Sequence, residues 1–304
     1  RVMARLGSGG SIGAMLVNRQ DTGVTGAGGY NRAFGLDGGV TLFQDLMLSL
    51  YLARTAEDDP VGDDHNVATV QAAWRGTSLD VSGLFKHVGD GFNPETGFVD
   101  RTSVRRCFAT VGVHPRVFGL GLREVNPYLD VDLYTNLDGA LESRRVHAWT
   151  IFTFLDGASL NLGISSRYER LFDDTGIAGA DVGPGEYDWI EPALSLTAPG
   201  SRAISGSVSL QWGDFYAGSR TSITGKLTFR PNEHVSFDAQ AQQNDLELGG
   251  SSFTADMFSG RLRYAHNTRT FFMAFVQYNE AAGLLGHDAS AWDQSSCQPF
   301  HSEN

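Results

Sequence analysis

The sequence predicts an all-β chain, an antiparallel up-and-down transmembrane β-barrel of roughly sixteen strands, complete or cut short at its two ends. Three observations predict it. Apolar and polar residues alternate one by one through most of the chain, and no stretch sustains a 3.6-residue apolar period. Short and long joints also alternate along much of it, as periplasmic turns and outer loops do in such barrels. Composition agrees: of 304 residues, 37 are Gly, 11% are aromatic and only 19% are charged. That mixture, without Leu/Ala/Glu/Lys runs, favours strands over helices.

In chain order, Leu79, Val81, Gly83 and Phe85 alternate with Asp80, Ser82, Leu84 and Lys86. Leu129, Val131 and Leu133 alternate with Asp130, Asp132 and Tyr134. Leu160, Leu162 and Ile164 follow the same rule, as do Ile204, Val208, Leu210 and Trp212. Ile223, Leu227 and Phe229, then Val235, Phe237 and Ala239, flank the turn "PNEH" and read as one hairpin. Short joints fall at Gly7, Gln44, Gly76, Asp156, Pro199, Pro231 and His266. Long ones run from Arg19 to Tyr30, Ala56 to Asn66, Gly89 to Ser103, Asp173 to Glu186, and Gly213 to Ser219. The segment from His114 to Asn126 is too long for a turn on the short side.

No run of about 18 apolar residues exists, so no helix is expected to span a membrane. Strands of about ten residues can cross at a tilt, with the apolar face on lipid and the polar face on a wet lumen. Aromatics such as Phe43, Trp74, Trp189, Trp212 and Tyr264 fall near strand ends, where interfacial girdles sit. A propeller would show a blade repeat, and none occurs; a soluble sandwich remains the rival fold. The barrel is expected over residues 1–280, and residues 281–304 read as an irregular tail. The chain opens inside a strand-like run without Met or a leader, so it reads as a mature product or a fragment.

The formal net charge of −12 argues against a nucleic-acid partner. Cys107 and Cys297 stand in no metal-like spacing, and no metal or cofactor is expected. The acidic loop "EDDPVGDDH" does not match an EF-hand and reads as a solvated rim loop. Neither G-x-S-x-G nor H-E-x-x-H occurs, the eight histidines are scattered, and no catalytic residue is assigned. Asp80, Lys86, Asp130, Asp132, Lys226, Asp238, Arg261 and Arg263 fall on polar strand positions and are candidates to line a lumen. Acidic walls there would prefer cations, or serve only as solvated lining. Arg144, Arg145, Arg261 and Arg263 are expected to face inward and pair with acids, because a lipid-facing Arg costs on the order of 2–4 kcal/mol at the midplane.

One loop stands out: "DGFNPETGFVDR", Asp90 to Arg101, with two Gly-Phe pairs and an Asn-Pro break. Asn93-Pro94 should stop strand pairing, and Phe92 and Phe98 should pin the loop to the wall. Its core "FNPETGFVDR" resembles a signature of the domain-of-unknown-function 5916 family, as does the run from "SIGAMLVNR" through "YNRAFGLDGGVTLFQDLMLSLYLART". The later hairpins from Arg220 to Asn279 resemble that family too. The resemblance implies a bacterial envelope protein in the outer membrane, with a barrel following a sugar-binding-like sandwich that is missing here. It marks Phe92, Asn93, Pro94, Gly97, Phe98 and Arg101 as a motif without an assigned role. Three functions are then open: a pore or docking channel for a small polar solute such as a saccharide or peptide, a membrane-associated hydrolase working at the long-loop rim, or an anchor for the sugar-binding domain. The expected partners are outer-membrane lipid, that solute and that domain.

Overall fold

The structure, a computed structural model, describes residues 1–7, 9–21, 29–119, 121–177, 180–267 and 269–279. The predicted tail 281–304, with Cys297, lies outside the described residues. Every described element is a strand. The first eleven are β1 (Val2–Leu6), β2 (Gly10–Gln20), β3 (Tyr30–Leu42), β4 (Leu46–Glu57), β5 (Asn66–Arg75), β6 (Leu79–Val88), β7 (Val104–Val113), β8 (Arg116–Gly119), β9 (Leu122–Asn136), β10 (Leu141–Phe154) and β11 (Ser159–Leu171). A small hairpin follows, β12 (Thr175–Ile177) with β13 (Ala180–Val182). The rest are β14 (Gly185–Thr197), β15 (Ile204–Phe215), β16 (Gly218–Phe229), β17 (Val235–Leu248), β18 (Ser251–Ala265) and β19 (Phe271–Asn279). Seventeen of them belong to one sheet. The fold of the described residues is all-β, with an antiparallel up-and-down meander in each unit.

The chain divides into two compact units, Arg1–Phe172 with Gly185–Leu194, and Asp173–Pro184 with Ser195–Asn304. In the first, β1 through β7 pair each with the next, β7 passes over β8 to pair with β9 (Cys107 opposite Leu133), and β9, β10 and β11 continue the meander. In the second, β15 through β19 pair in sequence.

Because side chains alternate along a strand, the register sorts residues onto two faces. In the first unit one face carries Phe34, Leu36, Leu50, Leu52, Val70, Phe85, Val111 and Leu129, each 41–56% exposed. The opposite face carries Asp80, Asp130, Asp132, Arg106, Arg145 and His147. This inverts a soluble protein, in which a Leu or Phe side chain gains about 1.5–3 kcal/mol by leaving water. An apolar face this extensive requires a covering phase. In the second unit Val208, Ile223, Leu227, Phe237, Phe258 and Leu262 form the exposed apolar face. Its polar face is largely hydroxyl and amide: Ser207 and Ser209, Thr224 and Thr228, Gln240 and Gln242.

Several expectations change. The described residues form nineteen strands, two of them the small β12–β13 hairpin, where roughly sixteen were read. The awkward segment from His114 holds the short β8, paired to β9 through Arg116–Glu124. Gly213 to Ser219 is not a long loop: pairing runs unbroken to Phe215–Gly218, leaving two residues in the turn, with Tyr216 at φ 49°. The turns at 137–140 and 249–250 are also short, so the long loops concentrate in the first unit rather than alternating throughout.

Candidate functional site

The long loops 58–65 and 89–103 leave the same end of β4, β5, β6 and β7 and interlock. Asp90 accepts the backbone N–H of Asp64 at 2.8 Å and of Asp63 at 3.2 Å. The Gly91 amide donates to the Asp64 carbonyl at 3.0 Å, and His65 Nδ1–H donates to the Gly91 carbonyl at 2.7 Å. These loops meet so closely that a Cβ on Gly89 would overlap the Asp64 carbonyl, and one on Gly91 would press on Val61 and His65. Glycine is there for backbone approach. Asp64 also accepts from His87 Nε2–H at 2.7 Å, which holds its carboxyl below the ordinary range. Asp90 is lowered too, chiefly by the Asp64 N–H. The acidic loop is therefore a hydrogen-bonded clamp on its neighbour, and more than solvated lining.

From this clamp residues 89–103 turn onto the polar face. Phe92, 6% exposed, packs with Val67, Val88 and Val104, with Tyr51, Ala53 and Val99 around them. Asn93 is held from three sides. Its N–H donates to Thr55 Oγ1 at 3.1 Å, its carbonyl accepts from Asn31 Nδ2 at 2.8 Å, and its own Nδ2 donates to Glu57 at 3.0 Å. Asn31 also donates to Glu57, at 3.1 Å. Pro94 begins a turn closed by the Gly97 N–H at 2.7 Å. Glu95 pairs with Arg19 on β2. Arg101 then reaches the other flank: it donates to Ser143 Oγ at 2.8 Å and to Glu169 at 3.1 Å, and lies 5.1 Å over the Tyr134 ring. A segment joining two adjacent strands thus touches β2, β3 and β4 on one side and β9, β10 and β11 on the other. It is a strap across the polar face.

Of the motif residues, Phe92, Asn93 and Arg101 fix the strap and Pro94 with Gly97 shape it. Phe98 does not pin it: the side chain is 84% exposed. A Phe pins only where apolar neighbours meet it, and those gather around Phe92. Between the strap and the segment 57–61 is a cavity of about 620 Å³, lined by Glu57, Asp59, Asp90 and Glu95 and by Val61, Pro94 and Phe98 among others. Four carboxylates line it, of which Glu95 is paired with Arg19. Among the described residues, no three His, Cys, Asp or Glu side chains are grouped to hold a metal ion.

The lining candidates Asp80, Lys86, Asp130 and Asp132 lie on the polar face of the first unit. Asp132 is gripped by Arg106 through two bonds of 2.8 Å and approached by Arg145 at 3.9 Å. Asp130 accepts from Thr110 and from Trp149 Nε1–H, the latter at 3.0 Å, with His147 at 3.7 Å. Asp80 accepts from His114 at 2.8 Å. The wall is a compensated ionic ladder. In the second unit Lys226, Asp238, Arg261 and Arg263 share the polar face, and among the described residues no ion pair joins these arginines to an acid, although Arg261 stands opposite Asp238 in register. Asp238 accepts from Thr228 at 2.8 Å, while Arg261 and Arg263 lie over Phe275 and Phe271. Arg144 also departs from expectation. It sits opposite Leu133 on the apolar face, paired with Asp188 at 2.9 Å. Its place near a strand end reduces the cost of facing lipid to about 0–1 kcal/mol.

Sequence reading missed Asn31, Thr55, Glu57, Ser143 and Glu169, which hold the strap from four other strands. Only Asn31, 3% exposed, and Thr55, 1% exposed, left a trace, as polar residues at strand ends beside the loop.

No family model matches this chain, and no curated protein matches it. Among solved structures it is similar to a mutant of the ferric enterobactin receptor of Pseudomonas aeruginosa (PfeA) in complex with enterobactin, with 12% identity and a TM-score of 0.47. The match covers 91% of this chain and 54% of that one, so the chain spans about half the receptor's length. A likeness at that identity and TM-score adds nothing to what the residues themselves say.

Proposed function

We propose that this chain is an outer-membrane β-barrel whose long-loop entrance is narrowed by the 89–103 strap, and that it admits or docks a small polar solute, cationic or uncharged in preference to anionic. The strap carries this reading. A loop that only joined two strands would not bury an aromatic on the polar face and touch six strands. Membrane placement is supported by the exposed apolar face. On β3 that face runs from Phe34 to Leu42, eight steps or about 27 Å along the strand. Projected onto the membrane normal at barrel tilt this is somewhat below the apolar band of about 25 Å typical of such barrels. Selectivity is supported by Glu57, Asp59 and Asp90 around the cavity, with Glu95 paired to Arg19, since an excess of carboxylates concentrates cations and repels anions.

Planar-bilayer recording tests it. Wild type should conduct and show a cation-selective reversal potential under a salt gradient, and Glu57→Gln with Asp59→Asn should move that potential toward zero. Removing residues 92–101 should raise unitary conductance. A folded, inserted chain that conducts nothing in either form would refute the channel.

A further inference from the structure

The apolar face of the first unit is not symmetric between its two ends. At the short-turn end of β3 through β7 its last members are Leu42, Leu46, Trp74, Leu79 and Val113, without a charge. At the long-loop end the same face carries Arg32 and Phe34 on β3, Arg54 on β4, His87 on β6 and Arg105 on β7. Register places them there: Arg54 is opposite Phe34, and Arg105 is opposite His87, itself two residues beyond the exposed Phe85. The row continues with Arg144 on β10.

These basic side chains differ in what occupies them. Arg144 is paired with Asp188 and His87 with Asp64, while Arg32 donates to Asn18 and lies 4.4 Å from the Tyr30 ring centroid. Among the described residues the side chains of Arg54 and Arg105 have no ion pair and no hydrogen-bond partner. Two guanidinium groups therefore stand at the margin of an apolar face, one on each flank of β5 and β6, about 14 Å apart at three strand spacings. Guanidinium presents a planar fork suited to phosphate oxygens.

We infer that Arg54 and Arg105 form a binding site for the phosphates of anionic lipid in the leaflet at the long-loop end. The inference rests on the membrane-barrel reading above. In that setting, chains of the lipid cover Leu52, Phe85 and their neighbours, and its headgroup meets the two arginines, where each basic residue near an anionic surface is worth about 1 kcal/mol. On β3 through β7 the opposite margin carries no charge and offers no such site.

The test uses the full chain in mixed micelles holding equal phosphatidylglycerol and phosphatidylcholine, with bound lipid read by native mass spectrometry. Wild type should retain phosphatidylglycerol at least fivefold over phosphatidylcholine, and 1 M NaCl should erase most of the excess by screening. Arg54→Gln with Arg105→Gln should bring the ratio near one. Arg5→Gln, on the polar face of β1, should leave it unchanged, and so should Arg54→Lys with Arg105→Lys to within about twofold. A heat-modifiable gel band accompanies each sample. A wild type that inserts and shows the band but retains both lipids equally overturns this site alone; one that does not insert overturns the barrel reading with it. Inorganic phosphate at 10 mM should not displace the lipid. Displacement by it, or retention unchanged in the double Gln variant, overturns the assignment.

Discussion

Phe92→Ala should release the strap without unfolding the sheet. Phe92 is 6% exposed and fills the space between Val67 (5%), Val88 (0%) and Val104 (6%). Removing a buried Phe ring costs about 3–5 kcal/mol. The cluster sits at a strand end with Val99 and Tyr51 only partly buried, so the lower figure applies, about 3 kcal/mol. At about 1.4 kcal/mol per tenfold, the undocked fraction of the strap rises by roughly two orders of magnitude. Hydrogen exchange in detergent reads this directly, because the Gly91 amide is protected by the Asp64 carbonyl and the Asn93 amide by Thr55 Oγ1. Both should exchange roughly a hundredfold faster in the variant, while amides in β16 and β17 keep their rates, as expected for local rather than global opening. Two results would refute the reasoning. Unchanged exchange at Gly91 and Asn93 would show that Phe92 is not the pin, and equal acceleration across the strands would show that it belongs to the global core.

Other expectations follow from the same contacts. Gly89→Ala should undock the strap at least as strongly as Phe92→Ala, because the new Cβ meets the Asp64 backbone, whereas Gly97→Ala should shift stability by no more than about 0.5 kcal/mol, its nearest neighbour being 3.6 Å away; exchange at Gly91 separates the two. Arg101→Ala should cost about 1 kcal/mol or less, since its pair with Glu169 is 41% and 22% exposed, and should leave the Asn93 amide protected. Acid should release the clamp. The carboxyls of Asp64 and Asp90 lie below their ordinary value of about 4, so what they contribute is complete above that pH and is lost as pH falls through the lower folded values. Exchange at Gly91 should be flat, after correction for intrinsic rates, from pH 8 to pH 5 and should accelerate below about pH 4; acceleration already at pH 6 would point to a histidine instead.

The all-β class was legible because a period of two is a local property. Leu129, Val131 and Leu133 show their face without reference to any other strand. The strap was half legible. Asn93-Pro94 and the paired Gly-Phe steps marked an irregular loop, but which Phe turns inward depends on Val67, Val88 and Val104, brought together only by pairing β5, β6 and β7. Glu57 read as part of a solvated acidic loop because its partners Asn31 and Asn93 are far off in sequence. Arg144 was misassigned for a related reason: alternation gives a face, but position along the membrane normal needs the register of neighbouring strands. The turn at Tyr216 looked like a loop because Gly213 and Gly218 resemble loop punctuation, yet both hold ladder positions.

The two attachments of the strap differ in a way that sets how it opens. On the β3 and β4 side the bonds of Asn93 run to Asn31 and Thr55, 3% and 1% exposed, and involve the Glu57 carboxylate. The bond to Glu57 contributes about 1.5–3 kcal/mol and the two neutral bonds about 0.5–1.5 kcal/mol each. On the β10 and β11 side the hold is the exposed Arg101, worth about 1 kcal/mol at most. Ser103, at φ 61°, lies just beyond it in a backbone region most residues avoid, so leaving the docked geometry relieves some local strain. The strap should therefore lift first from the Arg101 side, leaving Phe92 and Asn93 docked and the acidic cavity intact. Amides from Asp100 to Ser103 should exchange well before those of Gly91 and Asn93. Equal protection on the two sides would mean that the strap opens as one piece, and that the cavity is lost whenever the entrance widens.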